Sequence, residues 1–500
     1  MKRRDFLNSS LLAAAVSVPG IRTAYAVVGT GPVADVAAIT GDGRQITLRG
    51  KDIRDLARKM RGTLLLAGED GYDQARLILN PSFDKHPALI AQPVNAADVQ
   101  AAVRFARANN LLVAVKCGGH SNSGQSTCDR GMQIDLSHFR GVRVDPGARR
   151  AWVKGGTLLG QVDHESMAHG LAAPLGTVSH TGVGGQTLGG GFGRLARKLG
   201  MAIDSVESVD IVTPDGQLRH ASAQENPDLY WGVRGGGGNF GVVTNFEFRL
   251  HPMQREVVAG SLTFPIAKAR DMLSMWSEYA ITAPDELYMD PVMAQPPGGA
   301  PGYVSVEVCY SGPQAEAERA LAPLRKLGTP ERDTIKLSDY VEVQRWNDSG
   351  DSRAMGSYMK SGFISTMPDK FVSAIIESFQ PDPGRMTLVF FQHCGGAAGR
   401  VDEAATAFAQ RDSMANIMAV AGWRIGIDEA AGHIAATRKY WSALEPFTRG
   451  FYVNDIPREA TAGDINANYR GNYPRLVALK KKYDPTNLFR LNANVQPPQA

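Results

Sequence analysis

Three glycine-dense segments hold the residues best suited to chemistry. They are Lys116-Cys117-Gly118-Gly119-His120-Ser121-Asn122-Ser123-Gly124, then Gly182-Val183-Gly184-Gly185-Gln186-Thr187-Leu188-Gly189-Gly190-Gly191-Phe192-Gly193, then Arg234 through Gly235, Gly236, Gly237 and Gly238 to Asn239-Phe240-Gly241. Glycine suits places where a backbone must approach a ligand closely or take positive φ, and successive N–H groups in such turns cradle phosphate. One cluster fits a tight connection, but three between residues 116 and 241 point to a large dinucleotide. Gly236, Gly238 and Gly241 spell G-x-G-x-x-G. A nicotinamide-dinucleotide loop must open a helix, yet residues 242–250 alternate apolar and polar as a strand does. That reading fails on context. His120 alone reads as a loop histidine at a strand end. The four cysteines, Cys117, Cys128, Cys309 and Cys394, are spaced for neither a disulfide framework nor a zinc site. A Cys117–Cys128 pair stays open in an oxidising compartment, and no metal is expected.

The elements that must position these groups follow from hydrophobic periodicity. Asn95 is a plausible N-cap for a helix over 96–110, with Val99, Val103 and Ala106 at helical spacing. Residues 111–115 read as a buried strand feeding the first glycine cluster. A helix is expected over 160–169, a hairpin over 206–218 and a strand over 242–250. Composition changes near Pro252, and the glycine clusters largely stop. Beyond it, strands over 303–310 and 386–392 alternate with helices over 315–327, 370–379 and 433–444, and the tail at 464–483 is helical. Residues 27–52 show no strong periodicity.

The chain has 500 residues, 43% hydrophobic and 21% charged, which is the make-up of a folded protein of more than one domain. Its net charge of +4 (54 Lys+Arg against 50 Asp+Glu) has no long like-charge run, so no nucleic-acid partner is expected. The start, Met1-Lys2-Arg3-Arg4-Asp5-Phe6-Leu7, an apolar stretch at 11–18 and Ala24-Tyr25-Ala26, reads as a signal peptide over 1–26. Arg3-Arg4 favours the twin-arginine type over an ordinary secretory signal. The expected location is periplasmic or extracellular. No later run reaches the roughly 18 apolar residues of a membrane span, so no stable membrane insertion is expected.

Taken together, the Gly-Gly-His-Ser of 118–121, the second glycine run, Asn226-Pro227-Asp228-Leu229-Tyr230-Trp231-Gly232-Val233-Arg234, and the tail from Tyr469-Arg470-Gly471-Asn472-Tyr473 to Tyr483-Asp484-Pro485-Thr486-Asn487 resemble a known family. They are similar to vanillyl-alcohol-oxidase-type flavoenzymes with a PCMH-type FAD-binding domain, and within those to the berberine-bridge-enzyme-like branch. The resemblance implies an α+β fold: an FAD-binding domain over 53–253, a substrate-binding α/β domain over 254–450 built on a large, mostly antiparallel sheet, and a C-terminal segment, 451–500, returning to the FAD domain. It implies an FAD-linked oxidase or dehydrogenase. Such an enzyme oxidises a CH–OH or CH–N centre of a small-molecule substrate by hydride transfer and returns electrons to O₂ or another acceptor. Oxidative C–C bond formation on a natural product, or a flavin-holding, drug-sequestering protein without turnover, are the alternatives.

The same resemblance implies that His120 carries FAD covalently on its ring, since a neutral imidazole is a competent nucleophile toward an electron-poor flavin. Many relatives add a cysteine bond. Here Val178 stands at that position, so the expected attachment is mono-covalent. The family's arginine before Gly-Gly-His is replaced by Lys116-Cys117. Matched motifs assign FAD contacts to Lys116, Cys117, Gly118, Gly119, Ser121, Gly124, Thr177, Val178, Thr181, Gly182, Gly184, Gly185, Gly189, Gly191, Gly193, Gly238, Val242, Val243, Asn454 and Asn492. Tyr452-Val453-Asn454 matches the family's Tyr-x-Asn, whose tyrosine faces the flavin and acts as base. A tyrosine needs a cationic or hydrogen-bonded neighbour to ionise at neutral pH. Gln392 is expected to orient substrate, with His393 the alternative base. Their register is open by one residue, and a slip of one swaps faces. Leu199 stands where plant members carry a tyrosine.

Overall fold

The structure, a computed structural model, describes residues 32–348 and 355–498; the leader expected over 1–26 lies outside them. Among the described residues no helix is long and apolar enough to cross a membrane.

Two smaller sheets come first. A four-stranded sheet runs in the order Thr63–Leu65, Leu89–Gln92, Met132–Asp135, Val113–Lys116, its first pair antiparallel and the others parallel. The helix Ala96–Ala108 feeds it. Asn95 accepts the Asp98 N–H at 3.0 Å, as an N-cap should, and Val99, Ala102, Val103 and Ala106 are buried. A five-stranded antiparallel sheet follows, in the order Leu218–Ser222, Val206–Val212, Val242–Arg249, Arg150–Lys154, Val142–Asp145. The glycine clusters lie on the loops and short helices joining these strands.

Residues 256–424 build an eight-stranded antiparallel sheet. Helices Ala269–Thr282, Ala317–Arg325, Asp369–Glu377 and Ala430–Leu444 cover one face, packing Trp276, Leu321, Phe371 and Trp441 against Val389, Phe391, Ile417 and Ala419. Each such side chain contributes roughly 1.5–3 kcal/mol by burial. The other face looks toward the glycine clusters.

Buried arginines fasten the second cluster to this sheet. Arg194 donates to Glu307 at 2.5 Å, Gln344 at 2.9 Å and the Thr177 carbonyl at 3.2 Å. Arg197 donates to the carbonyls of Leu287, Cys394 and Ala283 at 3.1, 2.7 and 2.8 Å. Removing either side chain would strand buried acceptors, each costing about 1–3 kcal/mol.

Three features differ from the sequence reading. The lead forms a hairpin, Val36–Ile39 with Gln45–Leu48, and a helix, Gly50–Lys59, whose short apolar faces gave no long periodicity. Strands Glu256–Pro265, Leu287–Gln295, Met355–Ile364 and Ala415–Arg424 were not foreseen. Ala415–Arg424 is nearly continuously buried, so it lacks the alternation that marks a half-exposed strand. The tail is two helices, Ala462–Tyr469 and Tyr473–Tyr483, broken where Arg470 takes φ +50.

Candidate active site

The Val113–Lys116 strand delivers the first cluster into a cavity of about 360 Å³, within the range of cofactor sites. Backbone crowding fixes the loop. A Cβ on Gly118 would fall 2.3 Å from the Gly182 nitrogen, and one on Gly182 the same distance from the Gly118 nitrogen. The two glycine loops therefore abut main chain to main chain, and no side chain fits between them.

His120 is held by this contact. Its Nε2 lies 2.7 Å from His180 Nδ1 and its Nδ1 lies 3.3 Å from Thr181 Oγ1. Burial, helped by the facing His180, brings its pKa down to about 4, so the ring is neutral at physiological pH. Cys117 donates its thiol to the Gly155 carbonyl at 3.1 Å, and burial pushes it up to about 11. It is a thiol and a poor nucleophile.

Of the residues expected to contact FAD, Cys117, Gly118, Gly119, His120, Ser121, Thr177, Val178, Thr181, Gly182, Gly184, Gly185, Gly238, Val242, Val243, Asn454 and Asn492 line the cavity. Six residues singled out by sequence do not line it. The Lys116 ammonium turns away to the Ala75 and Leu77 carbonyls and to Asp135, because strand alternation puts it on the other face. Gly124 turns beneath the Phe83 ring, and Gly193 packs on the Leu175 carbonyl. Gly189 and Gly191 support the site from behind. A Cβ on Gly189 would strike the Asn454 amide at 2.2 Å, and the Gly191 N–H donates to the Tyr452 hydroxyl at 2.9 Å.

His393 is the sixth. Its strand, Met386–His393, alternates strictly, so Gln392 faces the cavity and His393 faces the helices. There its Nε2 meets the Ala280 carbonyl at 3.1 Å, and its ring packs edge-on to Trp276. It cannot reach substrate. Gln392 Oε1 accepts from Asn416 Nδ2 at 3.0 Å across the register pair Gln392–Asn416.

Tyr452 lines the cavity, with its ring edge-on to Phe192. Its oxygen accepts from Gly191 N–H and from Asn454 Nδ2 at 2.8 Å. Burial, with the Asp455 charge adding to it, raises the phenol above its ordinary range despite these donors. At neutral pH Tyr452 is a neutral phenol, because its two neutral donors do not outweigh burial.

Sequence reasoning missed Gln186, His180, Asn122, Asn416 and Asp455. Gln186 sits inside the second cluster and Asp455 directly follows Tyr-x-Asn, so position was the signal that could have found both. Nothing flagged Asn416, because its strand was not recognised.

The residues present fit FAD. A Cβ on Gly185 would meet nothing within 4 Å, and one on Gly238 only Asn492 Nδ2 at 3.9 Å, so backbone lies open to the cavity. Both polar atoms of the Gln186 amide, Ser126 Oγ and Asn492 Oδ1 are buried there without protein partners, and such groups require a ligand or water.

The family model described as FAD binding domain matches residues 87–222, and that described as Berberine and berberine like matches 460–496. An FAD-linked oxidoreductase of Dictyostelium discoideum is 31% identical over 457 residues, 89% of this chain and 97% of that protein. The chain belongs to the berberine bridge enzyme-like FAD-linked oxidoreductases. Within that family, the (R)-6-hydroxynicotine oxidase of Paenarthrobacter nicotinovorans is 31% identical over 451 residues, 88% of this chain and 97% of that one. The crystal structure of 6-hydroxy-D-nicotine oxidase from Arthrobacter nicotinovorans superposes with a TM-score of 0.81 at 29% identity, covering 88% of this chain and 98% of that one. As a berberine bridge enzyme-like protein, the chain is an FAD-dependent oxidoreductase acting on a small molecule.

Proposed function

We propose that this enzyme is an oxidase that removes a hydride from a CH–OH or CH–N centre, with FAD joined to the chain through His120 alone and dioxygen as acceptor. When bound, FAD supplies the two-electron acceptor. The observation that supports the reading most is one cavity lined by neutral His120 together with Gln392 and Tyr452. The neutral imidazole is available as a nucleophile throughout the physiological range. Val178 offers no thiol and Cys117 stays protonated, which supports a single bond. The glycine loops and the unpartnered Gln186, Ser126 and Asn492 atoms hold the cofactor. Among the described residues no protein acceptor engages the Gln392 amide nitrogen, which is free to orient a substrate hydroxyl or amine. Tyr452, as a neutral phenol, braces Gly191 and Asn454 rather than taking a proton. Export by the twin-arginine route rests on Arg3-Arg4. Replacing both by lysine is expected to stop export of the flavin-bearing form.

Anaerobic mixing with a panel of sugars, alcohols and secondary amines tests the reading. At least one class should bleach the flavin. Spectral perturbation without bleaching across the panel would overturn the oxidase reading in favour of sequestration.

A further inference from the structure

Tyr452 being a neutral phenol and His393 lying behind the sheet, hydride transfer needs another group to take the substrate's O–H or N–H proton. One carboxylate lies in the cavity wall. Asp455 follows Tyr452-Val453-Asn454 in a short 3₁₀ turn, closed by its own N–H donating to the Tyr452 carbonyl at 2.8 Å. Its Oδ1 accepts from Asn122 Nδ2 at 3.4 Å, two residues beyond His120 on the flavin-bearing loop. The Asn416 amide reaches it from the sheet, and Asn416 in turn bonds Gln392. Asp455, Asn122, Gln392 and Tyr452 all line the one cavity.

Among the described residues Asp455 makes no ion pair. Its neighbours from the loop after Val113–Lys116 and from the two sheet strands are neutral amides, and the titratable group facing it is Tyr452. An uncompensated carboxylate inside a protein is costly, and such groups cluster where chemistry uses them.

We infer that Asp455 is the catalytic base of this oxidase. The inference rests on the function proposed above. The substrate's C–H hydrogen leaves with its electron pair to FAD, its O–H or N–H proton passes to the Asp455 carboxylate, and C=O or C=N forms. Dioxygen then takes the two electrons and two protons, giving hydrogen peroxide and freeing Asp455. Burial pushes the Asp455 carboxyl up to about 7, opposed by the two amides that favour its anion. A base with its pKa near the working pH is well matched to this task. The sign follows: the basic form is lost as pH falls through about 7, so the rate of flavin reduction falls with it.

Asp455→Asn keeps the side chain's shape and removes the base. With a substrate from the panel, wild-type anaerobic flavin reduction should rise with pH and level off above about 7. The variant, at equal flavin content, should be about 10²-fold slower at pH 8 and flat with pH. Sulfite gives a reading that needs no substrate, since it adds directly to oxidised flavin. A carboxylate in the same cavity repels it, so at pH 8 the variant should bind sulfite roughly tenfold more tightly than wild type, with the gap closing at pH 5.5. Asn416→Ala retains the carboxylate but removes a donor to its anion, and should move the wild-type pH limb upward. A limb that persists in Asp455→Asn, or sulfite affinity equal to wild type at both pH values, would overturn the assignment. In that event a flavin still bleached by substrate would leave the oxidase reading intact. Failure of every substrate to bleach wild type would sink that reading instead, with the sulfite comparison still deciding whether Asp455 faces the flavin.

Discussion

The helix-facing side of the eight-stranded sheet is largely apolar, whereas the cavity-facing side carries amides with unmet hydrogen-bonding capacity. On one strand, Phe391 and His393 point into the helices, where His393 bonds the Ala280 carbonyl. Gln392, between them, points into the cavity and shares its oxygen with Asn416, whose own oxygen is buried without a partner. The strand therefore serves packing and chemistry at once, separated by a single residue of register. Stability is drawn from the apolar face packed on the helices; reactivity is kept on the face where pairing awaits a ligand.

Substitutions on either side of this divide should have separable effects. The largest is expected at Gln392→Leu: flavin reduction should slow about 10²-fold, roughly 2.7 kcal/mol of transition-state stabilisation, with little change in melting temperature. A substantial loss of stability would place Gln392 in the packing class. His393→Leu should do the reverse. It leaves the Ala280 carbonyl unpaired, costing about 1–2 kcal/mol of stability measured by denaturant unfolding, while flavin reduction per folded enzyme stays within about twofold of wild type. A rate loss near that of Gln392→Leu would mean that the two faces are coupled. Tyr452→Phe is the mildest. It removes an acceptor for Gly191 and Asn454, and flavin reduction should fall by less than about tenfold, or 1.4 kcal/mol. A loss of about 10²-fold, the range of general-base catalysis, would return the base role to Tyr452 and weigh against Asp455.

Much of the cradle was legible in the sequence because glycine clusters are local: three of them pointed to one large dinucleotide, and the family resemblance then assigned His120, Thr181, Gly185 and Gly238 to it. The resemblance of the tail likewise brought Tyr452 and Asn454 to that ligand. What could not be read was set by tertiary context. Lys116 and His393 adjoin lining residues in the chain, yet strand alternation turns them to the opposite faces. Asn416 belongs to a strand buried on both sides, where no period-2 pattern survives. Asp455 gained its character only when folding surrounded it with Asn122, Asn416 and the cavity wall. The need of Tyr452 for a cationic or hydrogen-bonded neighbour was stated from the sequence; the structure supplies two neutral donors, the Gly191 N–H and the Asn454 amide, and places a carboxylate beside them.

The proposed attachment is a single covalent bond from FAD to His120. Peptide mass mapping of acid-precipitated protein tests it most directly. The peptide holding His120 should carry the mass of FAD, the His120→Ala protein should release its flavin to the supernatant, and Cys117→Ser should retain it. Wild-type protein that loses all its yellow colour on precipitation, or flavin found on Cys117, would contradict the claim.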